Sequence, residues 1–566
     1  MMNQLPDDVL ARAARRRILR TAAGLLIFPL APGLAWTAGT TEALRAGVDV
    51  RRSRPVPLAH FWSKCVGAGR ANEGLRAAWL EQLRTVKESC GFAYCRFHGL
   101  FHDDMFVLRV VDGKPVYNWQ YVDELFDRML GIGVKPFVEL GFMPKDLAST
   151  ERTQFWWKGN ISPPKDYPRW AELVRVFTRH CVERYGLEEV RSWYFEVWNE
   201  PNLRGFWDGT RSQYFELYKQ SVLAIKSIDQ RLRVGGPATS NFVGDARFDG
   251  DIEDKSMQLT NTVKDLNTLP WKGVWIESFL DYCAKNRLPL DFISTHPYPT
   301  DFALNPGTGV NAGKTREVDA TRKDLTWLRR TVDGSAYPKA EIHLTEWSSS
   351  PSSRDHTHDY LQAAAFIIKA NLDSVGLVDS LAYWTFTDVF EEAGAGTDSF
   401  HGGFGLINYQ GVVKPSFHAY RMLNALGNRV LHREDGLIVT RHTGTGKLTA
   451  LAYHFPQEVT DALSFGDAAQ AEAMLNRGSQ REFQLKLTGL KPGADFSIDR
   501  LDHEHGNAIG DWKKMGAPPS PTRVQIETLK ARGRATKQYA ARADSVGGLD
   551  WVEVLTPWAC VLISES

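Results

Sequence analysis

The feature of this sequence that most restricts its fold is a repeated alternation of two kinds of segment. A short apolar run typical of a buried strand is followed by a longer stretch with apolar residues at helical spacing, and this unit occurs eight times. The predicted strands are 58–62, 92–98, 135–142, 193–198, 232–236, 292–296, 342–346 and 381–386. Strands that alternate with helices form parallel sheets, and eight such units close into a ring. The predicted fold class is therefore α/β, with a (β/α)8 TIM barrel.

The last part of the chain follows a different pattern. After about residue 426 the helical spacing fades, and short alternating runs separated by Gly, Pro and Asp take its place. This pattern predicts an additional antiparallel β-sandwich domain, made of residues 427–566 together with 46–55, beside a barrel domain of residues 56–426. The polar and basic segment 522–547 is predicted to be a long surface loop or a locally mobile segment.

The first 35 residues are typical of an export signal of the twin-arginine type. Arg15–Arg17 precedes an apolar run from Ala22 to Leu34, which is followed by small residues around Ala35. The run holds about 13 residues, whereas a membrane-spanning helix needs roughly 20. We therefore expect a signal peptide over residues 1–35, export to the periplasm or medium, and no stable membrane insertion. An amphipathic N-terminal helix of a cytoplasmic protein is the alternative.

Charge and cysteine content exclude several classes of function. The chain has 68 basic and 67 acidic residues and a net charge of +1. Nucleic-acid binding needs a basic surface, so no nucleic-acid partner is expected. The six cysteines include no C-x-x-C pair, which leaves zinc and thioredoxin-type chemistry unsupported. An exported protein permits a disulfide but does not require one.

Two of the predicted strands end on a glutamate. The run 193–198 is followed by Asn199 and Glu200, and the run 342–346 ends at Glu346. A barrel gathers the carboxyl ends of its strands at one mouth, so the two carboxylates are expected to face each other. Cleavage of a glycosidic bond needs such a pair and no metal or organic cofactor. Either glutamate alone is better explained by a structural ion pair, but the two together predict a glycoside hydrolase.

The motifs around these residues resemble glycoside hydrolase family 39, a family of β-xylosidases and α-L-iduronidase. The resemblance covers residues 55 to 430 and rests on six segments: Phe61–Gly67, Arg96–Leu100, Trp198–Asn202, Thr295–Tyr298, Thr345–Trp347 and Tyr383–Glu392. It implies that Glu200 is the general acid/base and Glu346 the nucleophile. The two carboxyl groups are then expected about 5 to 5.5 Å apart, the separation at which the anomeric configuration is retained.

The resemblance also implies residues that bind the substrate. Asn199 is expected to donate to the sugar 2-hydroxyl and Tyr298 to hydrogen-bond Glu346. Trp384 is expected to form a stacking floor for the sugar ring. His98 and His296 are expected to line the same subsite, with a structural hydrogen-bonding role equally open for both.

The loop after the eighth predicted strand bears on the choice of substrate. It carries Asp388, Glu391 and Glu392 and no nearby base. A buried uronate needs cationic partners, whereas carboxylates suit neutral hydroxyl groups. This favours xylose over iduronate. Glu391 or Glu392 is expected to bind the terminal 3- and 4-hydroxyls and so to close the pocket, with a plain surface charge as the alternative for each.

The function expected from the sequence is that of a retaining exo-β-1,4-xylosidase, with xylo-oligosaccharides as the substrate. Three alternatives stay open. The first is a retaining glycosidase that cleaves an exopolysaccharide internally, and the second is action on another glycoside, an iduronide or an arabinoside. The third is a non-catalytic carbohydrate-binding protein. No motif specifies the oligomeric state.

Overall fold

The structure is a computed structural model that describes residues 43–244, 265–301, 314–463 and 466–566. The predicted signal peptide at residues 1–35 lies outside these ranges. Within them, no helix combines the length and the hydrophobicity that a membrane span requires.

Eight parallel strands form a closed barrel in which each strand pairs with the next along the chain. The strands are β1 (Cys65–Arg70), β2 (Tyr94–His98), β3 (Lys135–Leu140), β4 (Tyr194–Val197), β5 (Arg233–Ser240), β6 (Phe292–His296), β7 (Glu341–Trp347) and β8 (Ser380–Tyr383). Tyr383 of β8 pairs with Val66 of β1 and closes the ring. The predicted (β/α)8 barrel is confirmed.

One helix of at least ten residues follows each barrel strand. These helices are α1 (Ala77–Cys90), α2 (Gln120–Ile132), α3 (Tyr167–Tyr185), α4 (Arg211–Lys226), α5 (Ile276–Lys285), α6 (Ala320–Asp333), α7 (Gln362–Asp373) and α8 (Pro415–Asn424). Local sequence explains several of their ends. The Thr210 side chain accepts from the backbone N–H of Gln213 at the start of α4, and Gly91 ends α1 in the left-handed conformation. A short helix, Leu187–Arg191, follows α3.

The prediction for the first barrel strand was wrong. Residues 58–62 form no strand, and the first strand is β1, which contains Gly67 and Gly69. A β-carbon at Gly67 would lie 2.3 Å from the Trp384 ring, and one at Gly69 would lie 2.3 Å from the Glu73 carboxylate. Glycine is therefore required where these side chains approach the strand, and its low strand propensity conceals the strand in the sequence.

The second domain consists of two sheets that share one apolar core. The smaller sheet contains Leu44–Asp49, Arg481–Thr488 and Leu549–Leu555. The larger sheet contains Val56–Pro57, Arg429–Glu434, Leu437–Arg441, Leu448–Tyr453, Cys560–Glu565, Asp495–Leu501 and Lys537–Arg542. Leu485 of the smaller sheet and Val439 of the larger one belong to the same core. The pairing is antiparallel except between the first two strands of the smaller sheet. The predicted additional β-sandwich is confirmed, with this one parallel pair.

The segment 522–547 is not a loop. It contains the helix Arg523–Arg534 and the strand Lys537–Arg542, which pairs with Asp495–Leu501. The Thr522 side chain accepts from the backbone N–H of Gln525, and the Gln525 side chain bonds back to Thr522. This capping box stood in the sequence as a signal for the start of a helix.

The remaining regular elements are short. The helices Ala468–Leu475 and Ile509–Lys514 belong to the C-terminal part. Four small antiparallel ribbons pair Leu108–Val111 with Lys114–Tyr117, Thr153–Gln154 with Gly159–Asn160, Phe242–Val243 with Lys272–Gly273, and Thr300–Asp301 with Lys314–Thr315.

The two ends of the barrel interior differ in chemistry. Near the amino ends of the strands, Phe137, Tyr194 and Phe292 pack together, with the first two rings stacked at 4.8 Å. Near the carboxyl ends, the buried side chains are charged or polar. The barrel therefore places its polar groups at the end where enzymes of this fold carry their active sites.

Candidate active site

Arg96, on β2, organises the polar end of the barrel. Its side chain is fully buried, and its guanidinium lies 2.8 Å from Glu196 and 2.5 Å from Glu346. The same group lies 3.1 Å from Glu139 and donates to Asn199 Oδ1 at 2.7 Å. A buried cation is tolerated only with such partners. Arg96 therefore holds three carboxylates and one amide from three other strand ends in a single arrangement.

Glu200 follows β4 in a strained turn. Trp198 and Glu200 have positive φ angles of 71° and 45°, and the backbone N–H of Glu200 donates to Ala238 at 2.8 Å. The left-handed conformation is unfavourable for such residues and aims the Glu200 side chain inward. Burial raises the pKa of Glu200 to about 7, although a hydrogen bond from Ser240 and the nearby cations lower it. Glu200 is therefore suited to carry a proton near neutral pH.

Glu346 lies near the end of β7 and is surrounded by donors. Arg96 bonds one carboxylate oxygen, and the Tyr298 hydroxyl donates to the other at 3.2 Å. Burial raises the pKa of Glu346, while the Arg96 guanidinium acts in the opposite direction. One oxygen of Glu346, one of Glu200 and a ring nitrogen of His296 all lie within 4.8 Å of one another. The two carboxylates therefore lie close together, as a double displacement through a covalent intermediate needs.

The two histidines have opposite charge states. His98 lies 2.6 Å from Glu139 and 3.3 Å from Glu392. Burial disfavours its charged form, but these carboxylates and Glu346 raise the pKa of His98 to about 10. Burial lowers the pKa of His296 to about 4, so this ring is neutral. The site therefore contains one imidazolium beside Glu346 and one neutral imidazole beside Glu200.

Glu200, Glu346 and His98 line a cavity of about 200 Å³. Its described lining residues are His98, Gln154, Phe155, Glu200, Leu203, Phe206, Ser240, Tyr298, Glu346, Pro351, Trp384, Glu392 and Phe404. The Trp384 ring packs against His98 with ring centres 4.9 Å apart. Both glutamates face one pocket that has an aromatic wall, which is an arrangement suited to a sugar ring.

Comparison with known proteins gives the family. The pattern of "Glycosyl hydrolases family 39" matches residues 47–254 and 270–549. The chain belongs to this family. A "Beta-xylosidase" of Caldicellulosiruptor saccharolyticus is 39% identical over 83% of this chain and 87% of that protein. A "Beta-xylosidase" of Geobacillus stearothermophilus is 37% identical over 83% of this chain and 85% of that protein.

A solved structure gives the same result. A monomeric β-xylosidase from Caulobacter crescentus CB15 superposes with a TM-score of 0.79 and 34% identity, covering 92% of this chain and 99% of the other. The chain is therefore a glycoside hydrolase of family 39.

The structure places most of the predicted site residues of this family 39 enzyme around one cavity. Glu200, Glu346, His98, Tyr298, Trp384 and Glu392 line it. Asn199 and His296 lie directly behind the lining, bonded to Arg96 and to Glu200 respectively.

Glu391 and Asp388 are placed elsewhere. Glu391 forms ion pairs with Arg70 at 3.2 Å and with Arg76 at 2.5 Å, outside the described lining. Asp388 pairs with the buried Lys414 at 2.7 Å. The expectation that the eighth loop has no nearby base was therefore wrong, because distant parts of the chain supply three cations. Of the three acids of this loop, Glu392 is the one that belongs to the described lining of the cavity.

Sequence reasoning gave no role to Arg96, Glu139 or Glu196, each of which is fully buried. A signal for them was present, because each is a charged residue at an inner position of a strand that is almost entirely buried. Such a residue needs a partner, and the partners of these three are one another.

Proposed function

We propose that this family 39 enzyme is a retaining exo-β-1,4-xylosidase that releases xylose from the non-reducing end of xylo-oligosaccharides. The observation that carries the mechanism is that Glu200 and Glu346 line one small cavity, with an oxygen of each within 4.8 Å of the other. The activity named for the family members it resembles over most of its length supports the substrate.

In the first step Glu346 attacks the anomeric carbon. The bond from this carbon to the leaving oxygen breaks, and Glu200 gives its proton to that oxygen. A carboxyl with a pKa of about 7 is protonated below that pH, and Arg96 and Tyr298 stabilise the attacking carboxylate. The product of this step is a covalent glycosyl-enzyme and a shortened chain.

In the second step water replaces Glu346 at the anomeric carbon. Glu200, now a carboxylate, takes a proton from the water as the new bond forms, and Glu346 leaves as a carboxylate. Two displacements at the same carbon restore its original configuration. No metal enters this scheme, because the two carboxyl groups suffice for both displacements.

Asn199 is prepared to bind the sugar. Arg96 donates to its Oδ1, which fixes the amide orientation, and its Nδ2 is buried without a hydrogen-bond partner among the described residues. A buried donor without a partner is unfavourable and suits a ligand that supplies an acceptor. We assign the 2-hydroxyl of the sugar to this position.

The lining of the cavity favours a neutral sugar. No Arg or Lys belongs to its described lining, and the His98 imidazolium is already shared among Glu139, Glu346 and Glu392. The carboxylate of Glu392 accepts hydrogen bonds from hydroxyl groups and repels a uronate. These charges support a xyloside over an iduronide.

The size of the cavity supports action at a chain end. Its volume of about 200 Å³ is below the roughly 300 to 1,000 Å³ of sites for drug-sized ligands, and suits a single sugar ring. An enzyme that cleaves inside a polysaccharide needs a cleft open at both ends.

The test uses xylotetraose labelled at its reducing end. The proposed enzyme releases unlabelled xylose first and retains the label in xylotriose, and proton NMR shows the β-anomer of xylose before mutarotation. Release of labelled xylose or of xylobiose as the first product contradicts exo action at the non-reducing end. Absence of any turnover by the folded protein contradicts the xylosidase assignment and directs screening to exopolysaccharides, iduronides and arabinosides.

A binding protein on the same scaffold is distinguished by two variants. Glu200→Gln and Glu346→Gln abolish turnover of 4-nitrophenyl β-xyloside in the enzyme. They leave a binder nearly unaffected in affinity for xylobiose. Azide, which needs no base to attack, restores turnover of an activated xyloside by Glu200→Gln but not by Glu346→Gln if the two roles are as assigned.

Export by the twin-arginine route is part of the proposal. It is supported by Arg15–Arg17 and the short apolar run that follows. Replacement of all three arginines by lysine preserves the charge, and the expected result is retention of the precursor in the cytoplasm. Equal export of this variant and of the unaltered chain contradicts the assignment.

A further inference from the structure

A chain of hydrogen bonds leads from Arg96 to Glu200 through three other side chains. Arg96 bonds Glu196, and the other oxygen of Glu196 lies 2.7 Å from the Thr345 hydroxyl. The Thr345 hydroxyl lies 2.9 Å from His296 Nε2, and His296 Nδ1 lies 3.0 Å from Glu200 Oε1. Glu196, His296 and Thr345 are fully buried, so water does not compete for these contacts. The positions of the protons along the chain therefore follow from the donors and acceptors themselves.

The charge of Glu196 determines where the hydroxyl proton of Thr345 points. Although burial disfavours its ionised form, Arg96 lowers the pKa of Glu196, so this carboxylate only accepts hydrogen bonds. The hydroxyl proton of Thr345 must therefore point to Glu196. Ser294 is a second hydroxyl donor to this carboxylate, but the Thr345 hydroxyl lies 2.7 Å from it, and a hydrogen bond to an ionised acceptor is stronger than one to a neutral imidazole.

The second proton follows from the first. A hydroxyl has one proton, so Thr345 can bond His296 only by accepting from Nε2–H. His296 is neutral, as its burial requires, and a neutral imidazole carries a single proton. Its Nδ1 therefore presents a lone pair to Glu200.

The contact between His296 Nδ1 and Glu200 Oε1 is a hydrogen bond only if Glu200 carries a proton, because a carboxylate oxygen is repelled by the lone pair of Nδ1. We infer that Glu196 and Thr345 set the tautomer of His296 and thereby hold Glu200 in its acid form in the free enzyme. The inference rests on the proposed role of Glu200 as general acid/base. Thr345 and Glu196 are positioning residues in this scheme, since they act on Glu200 only through His296.

The protons balance over the two steps of the reaction. When Glu200 gives its proton to the leaving oxygen, Nδ1 is left facing a carboxylate, and the contact becomes unfavourable. When Glu200 takes a proton from water in the second step, the hydrogen bond to Nδ1 forms again. The chain therefore favours return of the enzyme to its starting state.

The tautomer is measured without substrate. Selective ¹⁵N labelling of histidine and long-range ¹H–¹⁵N spectra at pH 6 distinguish Nε2–H from Nδ1–H, and the signals of His296 are those missing in His296→Gln. The expected result is the neutral Nε2–H tautomer in the unaltered chain and in Thr345→Ser. An Nδ1–H tautomer or an imidazolium in the unaltered chain overturns the inference. Because no substrate is present, this result is independent of the xylosidase assignment.

The pH profile measures the consequence for Glu200. Thr345→Val preserves shape and removes both hydrogen bonds, so the basic limb of kcat/KM on xylobiose is expected to move down by roughly one pH unit, the equivalent of one buried hydrogen bond. Thr345→Ser keeps the hydroxyl and is expected to keep the limb. Thr295→Val is the matched control, because this buried hydroxyl donates to the Thr239 backbone at 2.7 Å and takes no part in the chain of hydrogen bonds to Glu200.

The other charged or titratable groups that act on Glu200 are unchanged in these variants. They are Arg96 and His98 on β2, Glu139 on β3, Tyr298 after β6, Glu346 on β7 and Glu392 after β8. An unmoved basic limb in Thr345→Val, or an equal shift in Thr345→Ser or Thr295→Val, overturns the inference. If Thr345→Val does not fold, the tautomer in the unaltered chain decides the question.

Discussion

The two ends of the barrel interior are equally buried but are built from opposite kinds of side chain. At the amino end, Phe137, Tyr194 and Phe292 fill the space with rings. At the carboxyl end, Arg96 and His98 are set against a group of carboxylates. Each ion taken from water costs several kcal/mol before pairing, whereas the aromatic rings gain by burial. The carboxyl end is thus organised for chemistry and the amino end for stability.

The largest effect is expected from Glu346→Gln. Loss of the nucleophile should lower kcat by at least roughly 10⁴-fold. Stability should change little, because Arg96 keeps Glu139 and Glu196 as partners and no buried cation is left unpaired. Turnover of 4-nitrophenyl β-xyloside and thermal unfolding measure the two quantities. If Glu346→Gln loses its activity only because it unfolds, the assignment of the carboxyl end to chemistry and of the amino end to stability is wrong.

Phe137→Ala tests the opposite end. Removal of a fully packed ring should lower the free energy of unfolding by about 3 to 5 kcal/mol. The turnover number of the folded fraction should stay within about twofold, because the residue lies near the amino end of β3. Urea denaturation and active-site titration are the measurements. Phe137→Leu is the control and should be less destabilising. A large fall in turnover by stable, folded Phe137→Ala contradicts the assignment of this end to stability.

Within the carboxyl end, Glu392 and Glu391 form a matched pair of adjacent glutamates. Glu392→Gln should lower kcat/KM on xylobiose by about 10- to 100-fold, since it weakens charge-assisted bonds to the sugar. Glu391→Gln should change it by no more than about threefold, because this side chain is bonded to Arg70 and Arg76. Steady-state kinetics on both variants decide which glutamate binds sugar. Equal effects would mean that the ion pairs of Glu391 also shape the pocket.

The pH dependence of kcat/KM should separate the roles of Glu200 and Glu346. Glu200 must be protonated to act as acid, and its pKa is raised to about 7, so kcat/KM on xylobiose should fall about tenfold per unit above that pH. Below the pKa of Glu346, which burial raises, the nucleophile becomes protonated and the rate falls again. A dinitrophenyl xyloside, whose leaving group needs no proton, should show a weaker basic limb. Identical basic limbs for the two substrates argue against Glu200 as the acid.

Much of the fold could be predicted because its signals are local. The strands β2 to β8 lie in mainly apolar runs flanked by helical patterns, and each overlaps a predicted strand. The exception is β1, which contains Gly67 and Gly69. These positions need glycine because the side chains of Trp384 and Glu73 approach them, and the sequence of the strand does not show that approach. The helix Arg523–Arg534 was missed for a different reason. Its polar composition is typical of a loop, although Thr522 and Gln525 carry a capping signal.

The residues of the candidate site also fall into those that the sequence identifies and those that it does not. Glu200 and Glu346 were identified because each ends a predicted strand, and the barrel brings strand ends together. Glu391 and Glu392 could not be told apart, since they are neighbours of the same type. Their difference comes from Arg70 and Arg76, which lie more than 300 positions away along the chain. The organising role of Arg96 was missed because its partners come from other strands.

By itself, the sequence determined the order of strands and helices, the presence of a second domain and the two glutamates at the strand ends. These follow from spacing and residue type over a few neighbouring positions. Only the tertiary structure decided which charges are neutralised, which histidine is cationic and where the proton of Glu200 is held. Protonation depends on burial and on distances of a few ångströms, and the chain must close into a barrel before those distances exist.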